Sequence, residues 1–382
     1  MGFTFQTTPS LLVEAGASGR IAGLLRDLGC RRALLVTDSG IARAGLLGPA
    51  LDGLKAAGIA ASLYAGVTAD PPESAVEAAA AQAREAEADA VLGLGGGSSL
   101  DVAKLVALLA RTPQPLAEIY GVGLARGPRL PLVLAPTTAG TGSEVTPIAI
   151  LTTPAGEKKG VVAPVLLPDW AVLDADLTLG LPPAVTAATG IDAMVHAIEA
   201  YTSRHRKNPL SDALAREALA LLWRHIRTAC RDGRDRAARE GMLLGAMLAG
   251  TAFANAPVAA VHALAYPVGA RFHVPHGLSN AMVLAPVIRF NAPAAAALYA
   301  ELAGILVPEA AGSAEARTQS LVAALARLAP ELGLDARLSA AGITRDDIPA
   351  LARDAMLQTR LLVNNPRALT EADARALYAE AL

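Results

Sequence analysis

Three short apolar runs separated by helical stretches restrict this chain to one kind of architecture. Ala33-Leu34-Leu35-Val36-Thr37, Ala90-Val91-Leu92-Gly93-Leu94 and Leu132-Val133-Leu134-Ala135 read as buried strands. Between the first two, Ala75–Ala88 reads as an alanine-rich helix, and a further helix is expected from Leu100 to about Arg111. Strands alternating with helices imply parallel pairing through helical crossovers. The pattern stops at Leu179-Gly180-Leu181-Pro182-Pro183; beyond it β-branched runs vanish and helical periodicity continues to Leu382. The expectation is an α/β domain over residues 1–180 and an all-α domain over 181–382, and 382 residues suit two domains better than one.

Composition removes several classes of function. Lys plus Arg against Asp plus Glu gives 33 − 35 = −2, without the basic excess that phosphate backbones demand. With 5 Phe, 2 Trp and 6 Tyr, a base-stacking surface is not expected either, so no nucleic-acid partner is read. Cys30 and Cys230 stand far apart, which excludes a disulfide framework and a thiolate zinc site and fits a reducing compartment. The first residues show no basic segment followed by an apolar one, so no signal peptide is read and a cytoplasmic location is expected. Between Glu240 and Arg271 lie 30 residues without Asp, Glu, Lys or Arg, long enough to span a bilayer. Asn255, Pro257, His262 and Pro267 within it would be costly in lipid, so core helices of a soluble protein are the reading, with no membrane partner.

Two segments suggest an anion site. Gly93-Leu94-Gly95-Gly96-Gly97-Ser98-Ser99-Leu100-Asp101 lies between a strand and a helix, where glycines permit close backbone approach and a helix N-terminus offers unpaired N–H groups. Ala135-Pro136-Thr137-Thr138-Ala139-Gly140-Thr141-Gly142-Ser143-Glu144 also follows a strand and is rich in hydroxyls. Both would lie at the carboxyl edge of a parallel sheet, where open α/β sheets bind ligands. Asp38, ending the first strand, is placed to accept ribose hydroxyls and to repel a 2′-phosphate. The three together suggest NAD rather than NADP.

The helical half carries different chemistry. Asp192 and His196 are i, i+4 on one helix face, and His262 and His276 lie in a largely uncharged region. One carboxylate and three imidazoles suit Fe²⁺ or Zn²⁺ with a position open for a substrate oxygen; the alternative is a set of hydrogen-bonded core histidines. Glu199 shares the helix face as a competing ligand, whereas His205 and His225 fall in arginine-rich stretches.

The combination resembles the iron-containing (group III) alcohol dehydrogenase family. The carriers are Gly95-Gly96-Gly97-Ser98 with Asp101 and Lys104, the Pro136–Glu144 segment, Asp174-Ala175-Asp176-Leu177, Ala188–Ala193 through Glu199, and Pro275-His276-Gly277. They span nearly the whole chain in order. The resemblance implies the dehydroquinate synthase-like architecture, a dinucleotide-binding domain followed by a helical one, with the active site in the cleft between. It implies Asp192, His196, His262 and His276 as metal ligands. It also implies a cofactor site at Asp38, Gly96, Gly97, Ser98, Asp101, Thr137, Thr138, Thr141, Ser143, Lys159 and Leu179, and a homodimer.

Two positions depart from the family. Tyr266 stands where many members carry a proton-relaying histidine, and a phenol with an unperturbed pKa near 10 exchanges protons less readily at neutral pH. His273 is a substitute candidate for that acid–base role. Ile148 replaces a polar residue of polyol-using relatives, and Phe253 and Val258 are candidate pocket walls. The implied activity is NAD-dependent interconversion of a small alcohol and its aldehyde or ketone. The alternatives are an oxoacid reductase of the maleylacetate type, a hydroxyacid–oxoacid transhydrogenase, a dehydroquinate synthase-like lyase, and a non-catalytic NAD-binding protein.

Overall fold

The computed structural model describes residues 2–382. The chain divides into two compact units, one running from Gln6 to Gly180 and the other from Leu181 to Leu382 together with the N-terminal residues up to Phe5.

The first unit is built on a six-stranded sheet. Its strands are β1 (Ser10–Val13), β2 (Arg32–Asp38), β3 (Ala60–Val67), β4 (Ala90–Gly95), β6 (Leu132–Pro136) and β9 (Trp170–Leu173), in the order β1-β9-β6-β4-β2-β3. Every pairing within it is parallel. The three strands expected from apolar runs, β2, β4 and β6, are the central ones. Alternate residues feed two separate cores, with Leu34, Val91 and Leu134 on one face and Leu35, Leu92 and Val133 on the other. A strand covered on both faces has no polar side, which is why these three read as continuous apolar runs. β3 and β1, at the edges, alternate between exposed and partly buried residues and escaped that reading. A small second sheet, β5 (Gly121–Val122), β8 (Lys158–Val162) and β7 (Ile148–Thr152), also went unforeseen; β7 and β8 form an antiparallel pair.

The order fixes where ligands fit. The chain leaves β2 for β3 on one side and returns to β4 on the other, so the switch point lies between the carboxyl ends of β2 and β4. Asp38 ends β2 and Gly95 ends β4. The helix expected to begin at Leu100 begins at Gly97, so Gly97, Ser98 and Ser99 form its first turn rather than a loop before it. Asp174, beyond β9, is fully buried. One of its oxygens accepts from the backbone N–H of Gly16 (2.8 Å) and Asp176 (3.0 Å), and the other from that of Ser18 (2.9 Å). This part of the Asp174–Leu177 motif ties down the first helical turn after β1.

The second unit is helical. Its central helix is Pro183–Thr202, in which every residue from Gly190 to Thr202 is buried. It packs against helices Pro209–Arg231, Arg236–Asn255 and His276–Leu306. The uncharged segment 241–270 forms two helices, Arg236–Asn255 and Ala260–Phe272, bent by 107° and buried along most of their length. Among the described residues, His276–Leu306, kinked at Ala295, is the one single helix long and apolar enough to cross a membrane, and half of its most apolar stretch is buried inside the protein.

Candidate metal centre and cofactor loops

The central helix of the second unit brings four groups together. Asp192 and His196, one turn apart, face the same way. His262 stands in the first turn of Ala260–Phe272, and His276 is the first residue of its own helix. Asp192 Oδ1 lies 3.8 Å from His196 Nε2, 3.7 Å from His262 Nε2 and 3.6 Å from His276 Nε2. Bonds of about 2.1 Å in a tetrahedral set would put neighbouring ligand atoms roughly 3.4 Å apart. Asp192, His196 and His262 are buried, whereas the His276 side chain is 34% exposed, so the cluster is open to solvent on one side. Burial alone would raise the Asp192 carboxyl; the three imidazoles in their protonated form, with the Asn280 amide, outweigh it and hold that carboxyl below the usual carboxylate range.

A close helix crossing sets this geometry. A Cβ on Gly277 would stand 2.1 Å from the carbonyl oxygen of Ala188, far inside contact distance, so only glycine lets the two helices approach there. That approach seats His276 beside Asp192.

Glu199, read from sequence as a competing ligand, does something else. Its Oε1 accepts from the Val261 backbone N–H at 2.7 Å, and its Oε2 accepts from His262 Nδ1 at 2.7 Å. With Nδ1 protonated toward a carboxylate, His262 Nε2 carries a lone pair aimed at Asp192. Lone pairs converging on an ionised carboxylate in a buried site repel one another unless protons or a cation sit among them. The donor set therefore fits a divalent metal, which Asp192, His196 and His262 could hold together with His276.

Around the cluster, the Phe253 ring stacks on His196 with centroids 4.3 Å apart, and His196 stacks on His262 at 4.7 Å. Tyr266 lies 5.7 Å from His276 and 6.4 Å from His262 by ring centroids. His273 is exposed and closes its helix in a left-handed conformation (φ 54°), and the ring contacts around the cluster do not include it. Asn280, which no sequence motif singled out, is fully buried and donates to Asp192 Oδ1 at 2.6 Å. Its i+4 spacing from His276 was the signal available.

In the first unit the two loops lie side by side. A Cβ on Gly97 would stand 2.7 Å from the Thr141 methyl, and one on Gly96 would be 3.8 Å from that of Thr138. Gly96, as N-cap, has no side chain to satisfy the first N–H groups of the helix that Ser98 joins. The Thr137 hydroxyl is buried without a hydrogen-bond partner. Asp38 spends Oδ1 on the N–H groups of Gly40 and Ile41, at 2.8 and 3.0 Å, and its Oδ2 faces Gly95.

Asp101 and Ser143 bond to each other and join the two loops. Ser143 Oγ donates to Asp101 Oδ1 at 2.6 Å, and the Ile150 N–H donates to Oδ2 at 2.9 Å. The ammonium of Lys104, fully buried, donates to Ser143 Oγ (2.8 Å), Thr146 Oγ1 (3.2 Å) and the Ile148 carbonyl (2.6 Å). Burial pulls Lys104 below the ordinary lysine range, against Asp101 and Glu144, and burial pushes the Glu144 carboxyl up to about 7. Lys159 forms an exposed ion pair with Glu157 at 3.0 Å on the small sheet, and Leu179 is half-buried just after the helical turn Ala175–Thr178.

Residues 8–175 match the family model for iron-containing alcohol dehydrogenase, and residues 186–382 match the C-terminal model of the Fe-containing alcohol dehydrogenase family. The chain belongs to the iron-containing alcohol dehydrogenase family. It is 40% identical over 367 residues to long-chain-alcohol dehydrogenase 1 of Geobacillus thermodenitrificans, covering 95% of this chain and 92% of that one. A crystal structure of a 1,3-propanediol oxidoreductase superposes with a TM-score of 0.97 at 33% identity, covering all of both chains. That of sulfoacetaldehyde reductase from Bifidobacterium kashiwanohense, in complex with NAD⁺, gives 0.90 at 27% identity over 100% of this chain and 99% of that one. As a member of this family, the chain is an oxidoreductase of alcohols and their carbonyl counterparts.

Replacing Glu199 by Gln leaves one acceptor for two N–H donors and removes the charge that fixes the His262 tautomer. Metal affinity, measured by competition with a chelator, is expected to fall about 10- to 100-fold with the fold retained. Unchanged affinity would show that Glu199 does not orient the ligand.

Proposed function

We propose that this chain catalyses the reversible, NAD-linked oxidation of a small alcohol to its aldehyde or ketone at a centre that holds Fe²⁺ or Zn²⁺. The observation that carries the reading is the convergence of Asp192 with the Nε2 atoms of His196, His262 and His276. When bound, the ion supplies Lewis-acid chemistry that lowers the pKa of the alcohol hydroxyl and stabilises the alkoxide. The four ligands fix its position, and Glu199 keeps His262 in the ligating tautomer. His276, on the exposed side of the cluster, borders the approach of the alcohol, and Phe253 on His196 supplies an apolar wall. Tyr266, close to His276, carries the hydroxyl proton away in place of a histidine, a role His273 in its exposed turn is poorly placed to share.

The cofactor is held by the first unit. Gly96, Gly97 and Ser98 offer backbone N–H groups to the pyrophosphate, with Thr137, Thr138 and Thr141 beside them. Asp38, at the switch point, accepts the adenosine ribose hydroxyls and selects NAD over NADP. Asp101, Lys104 and Ser143 hold the two loops in register. The chain works as a soluble homodimer in the cytoplasm.

Metal removal is expected to lower NAD⁺ reduction with short primary alcohols and diols by at least about 100-fold, and added Fe²⁺ or Zn²⁺ to restore it. Turnover that survives verified metal removal would contradict the proposal. Asp38→Asn keeps an acceptor for the Gly40 and Ile41 N–H groups while removing the charge. Its NADP-to-NAD ratio of kcat/KM is expected to rise roughly tenfold or more; an unchanged ratio would place Asp38 away from the ribose.

A further inference from the structure

We infer that Glu144 makes cofactor binding proton-linked: it carries a proton when the two loops hold a dinucleotide and weakens that hold when it ionises. The inference rests on the reading of those loops as a pyrophosphate site.

Glu144 lies in the helical turn Ser143–Val145, which closes the threonine-rich loop, and it is 2% exposed. Three residues earlier, the Thr141 side chain stands against Gly97 at the start of helix Gly97–Arg111. The Ser143 N–H donates to Thr141 Oγ1 at 3.2 Å and ties the turn to that loop. From another segment, the Thr8 hydroxyl donates to the Glu144 backbone carbonyl at 3.3 Å. Neither contact involves the carboxyl.

Three ionisable groups share this buried space, Asp101 and Lys104 from the helix and Glu144 from the turn. An ammonium has three N–H bonds, and the three shortest hydrogen bonds of Lys104 go to Ser143 Oγ, Thr146 Oγ1 and the Ile148 carbonyl. Asp101, 3.5 Å from that ammonium, balances its charge and accepts from Ser143 Oγ and the Ile150 N–H. Burial raises Asp101 and lowers Lys104, but donors and acceptors on several sides hold them as an ion pair. The pair is neutral as a whole, so an ionised Glu144 is a surplus negative charge. Among the described residues Lys104 is the one cation that acts on Glu144, and it does so through space. Burial outweighs that attraction and the Glu144 backbone N–H together, and it pushes the carboxyl up to about 7.

A dinucleotide brings the two negative charges of its pyrophosphate to the same loops. The N–H groups at the helix start attract them in either state of Glu144. An ionised Glu144 repels them through a medium that screens poorly. The bound anion therefore raises the Glu144 pKa further, and binding near neutral pH takes up a proton. Affinity is full while Glu144 is protonated and is lost as pH rises through about 7.

The test is calorimetric titration of the full-length protein with NADH, without alcohol, for the wild type and Glu144→Gln. Wild-type affinity is expected to fall about tenfold between about pH 6 and about pH 8. Glu144→Gln, neutral and of nearly the same shape, should bind at the higher pH as the wild type does at the lower. Near neutrality, buffers of different ionisation enthalpy should show uptake of a fraction of a proton by the wild type and none by the variant. Equal wild-type affinity at both pH values without proton uptake overturns the inference, and that readout needs no variant. Wild-type pH dependence retained in Glu144→Gln overturns it too, because another group then titrates. Absence of NADH binding at both pH values would instead overturn the reading of the loops on which the inference rests.

Discussion

Lone pairs that converge in a buried space repel one another, and the helical half of this protein is organised around such a convergence. Asp192, His196, His262 and His276 come from three helices, and each is held in place by something other than its neighbours in the cluster. Glu199 fixes His262 through Nδ1, the Gly277–Ala188 approach seats His276, and the wholly buried stretch from Gly190 to Thr202 presents Asp192 and His196. A fold that concentrates acceptors in this way is stable only if something positive joins them. In the structure the Asn280 amide donates to Asp192, and the donor set is one that fits a divalent ion. The position of the cluster is therefore set by the packing of helices rather than by a mobile loop.

The first unit solves a different problem with neutral groups. Gly96, Gly97, Thr138 and Thr141 bring two loops to van der Waals contact at the carboxyl ends of β4 and β6, leaving backbone N–H groups for an anion. What keeps them together is ionic and hidden, because Lys104 and Asp101 join the two loops through Ser143, Thr146 and the backbone of β7. A buried lysine and aspartate satisfied on several sides fix one arrangement of the loops, at the cost of desolvating both charges.

Much of this was legible in the sequence, for reasons that differ from part to part. The central strands β2, β4 and β6 announced themselves because burial on both faces leaves no polar alternation to confuse, whereas β1, β3 and the small sheet lie at edges or run short. The candidate ligands stood out as imidazoles in uncharged surroundings; spacing alone left core histidines as an equal reading, and the sequence could not show that their Nε2 atoms face one carboxylate oxygen. Glu199 was visible on the right helix face only as a possible competitor for the ion, because a carboxylate reads the same from sequence whether it faces a metal or, as here, the far nitrogen of His262. Asn280 carried no signal beyond its i+4 spacing from His276, and the part Asp101 plays between the loops was hidden because Ser143 and Ile150, its partners, lie 42 and 49 residues further along the chain.

The most direct measurement is a calorimetric titration of metal-free protein with Fe²⁺ under anaerobic conditions, repeated with His262→Ala. One ion per chain in the wild type, with binding abolished or weakened by several orders of magnitude in the variant, is the result the account predicts. No saturable binding, or equal binding by both proteins, would contradict the claim that these four groups converge to hold a metal.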